Sequence, residues 1–246
     1  MPRNIIVLDL ETARSAEDCK HCGDARPAHF EPDAVCVTER REETKFEPIG
    51  WGNKPALGLS IGGYYSYVDE YIHWFDEHNL TSTIERLVAK KPLMVSFNGI
   101  GFDYRLMRGI VRRRAEPLAL DGYQEEAQGL TDLCDAFKLL AANSYDILAE
   151  IWHADPRSRF TRSLNSLDSI AQANGFGPKL GNGAQAPRDW AAGRCANVMN
   201  YCSLDIYLTK WLFDMICEGK PIARSDGSRV QLSAQRIGNR EGGIHA

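Results

Sequence analysis

The stretch "IIVLDLET", Ile5–Thr12, decides how the rest of the chain is read. Its β-branched and leucine residues predict a buried strand, yet Asp9 and Glu11 interrupt its end. Side chains alternate along a strand, so the two carboxylates share one face and lie side by side next to a core. Such a pair costs free energy unless a cation offsets the repulsion. The residues that could share that cation must come from elsewhere in the chain.

Working outward, "PLMVSFN" (92–98) reads as a second buried strand, and "GFDYRLMRGIVRRR" (101–114) opens a helix directly after it, with Asp103 at its mouth. In "NYCSLDIYLTKWL" (200–212), Tyr201 and Asp205 stand four apart on a helix and share one face. Four carboxylates at the ends of a strand, a loop and a helix can converge on one edge of a sheet. Hard divalent cations such as Mg²⁺ or Mn²⁺ choose oxygen ligands of this kind. Two such ions about 3.5–4 Å apart activate a water and stabilise the leaving oxygen of a phosphodiester.

The remaining segments frame these. Residues 13–54 lack clear periodicity and read as a polar insertion. "ALGLSIGGYYSYV" and "YIHWFDE" predict a hairpin turning at Asp69-Glu70. "TSTIERLVAKK" predicts a short amphipathic helix, with Ser82 and Glu85 at capping-box spacing. Helical patterns follow at 125–142 and in "SLNSLDSIAQANGF", then a Gly-rich loop "GPKLGNGAQAPRDW", then a long helix in "CANVMNYCSLDIYLTKWLFDMICEG". Beyond Gly219 the chain reads as a polar, peripheral tail, 220–246. The order suggests one mixed sheet flanked by helices, an α/β domain over residues 1–219 carrying the 13–54 insert.

The 246 residues, 43% hydrophobic and 25% charged, are those of an ordinary globular protein. No hydrophobic run approaches a membrane helix, and the N-terminus is not a signal peptide, so no membrane partner is expected. Seven scattered cysteines favour a reduced, cytoplasmic setting. A net charge of −4 excludes a generic polycation, although "RLMRGIVRRR" and "RSRFTR" are local basic patches. Nucleophilic triads and nucleotide-binding P-loops have no local signature.

The three acidic segments together resemble the three motifs of the DEDDy branch of the DEDD 3′–5′ exonucleases, which adopt an RNase H-like fold. They are similar above all to the proofreading domains of family B DNA polymerases and their stand-alone relatives. "DLET" matches Asp-x-Glu, "NGIGFD" matches Asn followed by an aromatic and Asp, and "YCSLD" matches Tyr-x-x-x-Asp, in that order over residues 4–218. The resemblance implies a 3′–5′ exonuclease acting on single-stranded DNA or RNA 3′ ends, DNA favoured, with two Mg²⁺ or Mn²⁺. It implies Asp9, Glu11, Asp103 and Asp205 as metal ligands, Tyr201 as the group that orients the attacking water, and Asn98 and Phe102 as contacts to the terminal nucleotide. For Phe102 a core aromatic is an equal reading.

Weaker signals stand beside these. Arg105, Arg108 and Arg112 form one helix face that reads as a phosphate track or as a solvated surface. Lys179 reads as a phosphate contact, since similar lysines precede the third motif in relatives, or as a plain surface lysine. Tyr145 and Asp146 match a recurrent segment of such exonucleases, with Asp146 in a structural role. Cys19, Cys22, His29 and Cys36 have the residue types of a tetrahedral zinc site, the other reading being a polar loop with free thiols. Two further functions stay open: a catalytically silent nucleic-acid-binding or scaffolding module on the same fold, and a zinc-bearing adaptor.

Overall fold

A computed structural model describes residues 4–21, 35–37, 43–45, 47–177 and 183–233. The strands are β1 (Ile5–Thr12), β2 (Val35–Val37), β3 (Glu43–Lys45), β4 (Leu59–Ser66), β5 (Tyr71–Phe75), β6 (Leu93–Ser96), β7 (Tyr145–Asp146), β8 (Ile222–Ala223) and β9 (Arg229–Val230). The helices are α1 (Leu80–Lys90), α2 (Asp103–Leu120), α3 (Gln124–Ala142), α4 (Ile147–Ala154), α5 (Leu167–Ala173), α6 (Ala186–Ala191) and α7 (Cys195–Cys217). Five strands form one sheet in the order β5-β4-β1-β6-β7. β4 and β5 pair antiparallel on one side of β1, while β6 and β7 run parallel to it on the other. This mixed α/β sheet is consistent with an RNase H-like fold. Among the described residues no helix is long and apolar enough to cross a membrane.

Period-two alternation in β1 divides the interior. Ile6, Leu8 and Leu10 enter one core with Ile84 of α1, Leu106 and Ile110 of α2, and Phe137 of α3. Ile5 and Val7 enter the other, with Ile147 of α4, Ile170 of α5, and Cys202, Ile206 and Phe213 of α7. The sheet is therefore covered on both faces, as parallel strands require. α7 presents a buried stripe, Val198, Cys202, Ile206, Thr209, Phe213 and Ile216, at three- and four-residue spacing.

Three local expectations change. α1 begins at Leu80 and is preceded by Asn79, and Ser82 lies inside it, donating to the Asn79 carbonyl, so no Ser82–Glu85 capping box forms. The reason is a tight turn just upstream, in which Asp76 accepts from the His78 and Asn79 N–H groups and starts the helix early. The end of the Gly-rich segment is helical, because Pro187 near the start of α6 presets the backbone there. Residues 220–233 are not peripheral: Ile222, Val230 and Leu232 are buried in the α7-side core, and β8 pairs with β9.

Candidate active site

Asp9 and Glu11 continue the Ile5–Val7 face of β1, so they point to the α7 side at the carboxyl end of the strand. In open α/β sheets ligands gather outside the carboxyl ends of the parallel strands. β6 and β7 end at the same edge. Asp9 lies opposite Gly63 of β4. A Cβ at Gly63 would sit 2.9 Å from both the Ile206 Cδ1 atom of α7 and the Trp74 ring. The missing side chain therefore lets α7 lie close on the sheet, and Asp205 precedes Ile206 on that helix. Ligating oxygens of Asp9, Glu11 and Asp205 fall within 4.8 Å of one another. The Cys202 thiol donates to the Asp9 carbonyl at 3.4 Å, fastening the helix to the strand beneath this cluster.

Asp103 reaches the same edge through the loop after β6. That loop is strained in sequence-specific ways: Asn98 has φ +70°, and a Cβ at Gly99 would lie 2.3 Å from the Ser96 Oγ. The Asp146 carboxylate holds it, accepting the N–H groups of Asn98 and Ile100 at 2.9 Å each. The same carboxylate caps α4 through the Leu148 and Ala149 N–H groups. With its oxygens committed to four backbone donors, Asp146 fixes the loop and the start of α4 together. Asp103 is then buried at the first position of α2. Burial, reinforced by the charges of Asp146 and Asp205, pushes its pKa up to about 8. The Cys202 thiol is likewise pushed well up, first by burial and then by Asp9, Glu11, Asp205 and Asp103. One thiol thus senses all four acids, which come from three distant segments.

Tyr201 lies half-buried on α7, one turn before Asp205. Its phenol is raised above the ordinary value, chiefly by burial, then by the nearby Asp189 carboxylate, with a smaller contribution from Glu11. Asp189, buried in α6, accepts from Arg194 Nε at 2.9 Å and Nη2 at 2.7 Å, and its pKa is held low, first by that hydrogen bond. The Asn197 amide adds a longer contact at 3.4 Å. Asp189 was not legible in advance. Its only signal is an acid five residues before an arginine at a helix entrance.

The family model described as "Predicted 3'-5' exonuclease related to the exonuclease domain of PolB" matches residues 73–220. The chain belongs to this family. No curated protein and no solved structure matches it. Asp103, Tyr201 and Asp205 lie inside the matched stretch of this PolB-related exonuclease family member, whereas Asp9 and Glu11 precede it. Tertiary structure is what joins the two parts, through the Asp9–Glu11–Asp205 cluster. Three carboxylates within ligating reach of one another, two of them half-buried and one buried, form a hard-oxygen donor set compatible with a divalent cation.

The other residues singled out fall in several places. Asn98 is part of the left-handed turn just described, and Phe102 ends that turn, half-buried and edge-on to Trp51 with ring centroids 6.2 Å apart. Helical geometry puts Arg105, Arg108 and Arg112 about 200°, 140° and 180° around α2 from Asp103. Their face therefore points away from the acids, toward α3. Cys19 is buried, and its backbone bridges to Pro48. Cys22, His29 and Lys179 lie outside the described residues, as does the side chain of Cys36.

Proposed function

We propose that this protein is a DEDDy-type 3′–5′ exonuclease that releases nucleoside monophosphates from single-stranded nucleic acid, DNA in preference to RNA. The observation that carries the reading is the meeting of Asp9, Glu11 and Asp205 within 4.8 Å, in a chain of the PolB-related exonuclease family. Asp9, Glu11, Asp103 and Asp205 would hold two Mg²⁺ or Mn²⁺. When bound, such ions lower the pKa of a coordinated water and offset the charge that builds on the phosphate. Asp103 would enter that site by giving up the proton that burial keeps on it.

Tyr201 acts as an orienting group in this reading, not as a base, since a phenol raised above its ordinary pKa stays protonated at neutral pH. The neutral phenol oxygen has lone pairs to accept a hydrogen of the attacking water. Asn98 and Phe102, beside Asp103, would position the terminal nucleotide. The catalytic domain of this reading runs through Leu232, because residues 222–232 complete the core under α7. A reducing, cytoplasmic setting suits Cys134, Cys195, Cys202 and Cys217, none of which is in a disulfide. Cys19, Cys22, His29 and Cys36 are proposed as a structural zinc set, tested by elemental analysis of protein purified without added metal.

The decisive experiment supplies 5′-labelled single-stranded DNA and RNA with Mg²⁺ or Mn²⁺, with and without chelator. Stepwise shortening from the 3′ end, abolished by chelator and by Asp9→Asn or Asp205→Asn, is expected. Absence of shortening in the parent protein would leave the silent binding module. Full activity in either variant would overturn the metal-ligand assignment.

A further inference from the structure

On the side of α2 away from Asp103 lies a groove of about 460 Å³, walled by α2, α3 and the short 3-10 segment Lys54–Leu57. Its cations come from all three walls: Lys54 from the turn, Arg105 and Arg108 from α2, and Lys138 from α3. No acidic residue is among those lining it. None of the four cations pairs with a carboxylate among the described residues, and the one polar contact of their side chains is that of Lys54, whose Nζ donates to the Trp51 carbonyl at 3.2 Å. A protein of net charge −4 has thus gathered four positive charges, none in an ion pair among the described residues, on one concave surface. The expected arrangement on an acidic protein is the opposite, with cations dispersed against carboxylates, and like charges brought together repel unless an anion joins them.

The groove is a built feature. A Cβ at Gly109 of α2 would lie 2.3 Å from the Pro55 Cγ, so the helix and the turn are in direct contact, and Arg113 donates to the Pro55 carbonyl. Tyr104 and Phe137 supply an apolar wall. At the end nearest the acids stands Ile100, 40% exposed, which belongs to the same loop that delivers Asp103. Trp51, 67% exposed, neighbours Gly52 of the groove and touches Phe102 edge-on. Exposed aromatic surface next to a run of unpaired cations is the combination that holds single-stranded nucleic acid, with bases on the ring and phosphates on the charges.

We propose that this groove is a second docking site, an exosite, for the sugar–phosphate backbone of the single strand upstream of the 3′ end being processed. The assignment rests on the exonuclease reading for its direction, since the strand enters from the acid cluster around the N-terminus of α2 past Trp51. Crossing a helix about 10–12 Å wide takes more chain than the single phosphodiester of a dinucleotide provides once that bond lies at the acids. A dinucleotide therefore occupies the acid cluster without reaching the groove, whereas a 15-nucleotide strand engages both. The exosite contributes affinity for long substrates and leaves the chemical step alone.

The test compares the parent with Lys54→Glu/Lys138→Glu, a half-buried and an exposed position outside the acid cluster, and with Lys54→Gln/Lys138→Gln as the milder variant. Hydrolysis of a dinucleotide should stay within about twofold of the parent. On a 15-nucleotide strand KM should rise about tenfold with kcat unchanged. Strand binding, read by fluorescence anisotropy in chelator from 50 to 300 mM salt, should show a log–log slope shallower by about 1.4 for two lost phosphate contacts. An unchanged slope and KM would overturn the exosite while leaving the exonuclease reading intact. Equal losses on the dinucleotide and the long strand would also overturn it, by showing a defect in the catalytic centre. If the parent cleaves neither substrate yet the variants lose binding and salt slope, the groove stands and the exonuclease reading falls. Displacement of the strand by polyglutamate as readily as by unlabelled strand would overturn the assignment to nucleic acid.

Discussion

Replacing Asp103 with asparagine tests the electrostatics of the acid cluster before any catalysis is measured. In the metal-free protein burial, reinforced by the charges of Asp146 and Asp205, pushes the Asp103 carboxyl from its ordinary 3.8 up to about 8. The folded state therefore binds this proton more tightly than the unfolded chain does. The resulting penalty is absent below about pH 3.8, grows as the pH rises through the interval, and levels off above about pH 8. At pH 7 the gap is a little over three pH units, worth about 4 kcal/mol against folding, and the penalty at pH 5 is less than half of that. An amide in place of this carboxyl has no proton to lose and nearly the same shape. Asp103→Asn should accordingly raise the Tm in chelator by about 8 °C at pH 7, taking about 2 °C per kcal/mol for a chain of this size. The excess should shrink toward pH 5. Added Mg²⁺ or Mn²⁺ should stabilise the parent more than the variant, because only the parent has this carboxylate to offer. Differential scanning calorimetry from pH 5 to 9 provides the measurement. A variant that melts at or below the parent at pH 7, or a difference that does not change with pH, would refute the buried, repelled carboxylate.

Other consequences follow from single contacts. Tyr201→Phe removes the hydroxyl whose proton the nearby Asp189 charge helps to retain and should lower kcat by about 100-fold with KM unchanged, as steady-state kinetics would show; a raised KM alone would instead mark a substrate-stacking role. Asp146→Ala strips acceptors from the Asn98, Ile100, Leu148 and Ala149 N–H groups and should cost about 2–4 kcal/mol in urea unfolding, with Asp146→Asn losing less. Gly63→Ala should cost about 1–3 kcal/mol and depress exonuclease activity by pushing α7 from the sheet. Adding Ile206→Val, which deletes the methyl that the new Cβ meets, should recover part of that activity.

Much of this site could be read in one dimension because its motifs carry their own periodicity. Alternation in "IIVLDLET" placed Asp9 and Glu11 on one face, and β1 keeps them there. The i,i+4 spacing of Tyr201 and Asp205 put both on one side of a helix, and α7 is that helix. Asp103 stood at the entrance of a predicted helix and is its first residue. Local errors arose where a nearby side chain competed with the pattern, as when Asp76 started α1 ahead of the Ser82–Glu85 spacing.

Periodicity states which side of an element a residue occupies and is silent about what lies opposite. The sequence by itself therefore determined the fold class, the acids and their faces, while tertiary structure decided their company. Only packing shows that Gly63 admits α7 to the sheet, that Cys202 sits within the field of four carboxylates, and that Asp189 reaches Tyr201. The same holds for the arginines of α2, whose regular spacing suggested a track beside the acids. The helix turns them to the far side, and Lys54 and Lys138, with no sequence pattern linking them to those arginines, meet them there because two other elements close the groove. Charge and burial act through space, at distances set by folded contacts and not by separation along the chain.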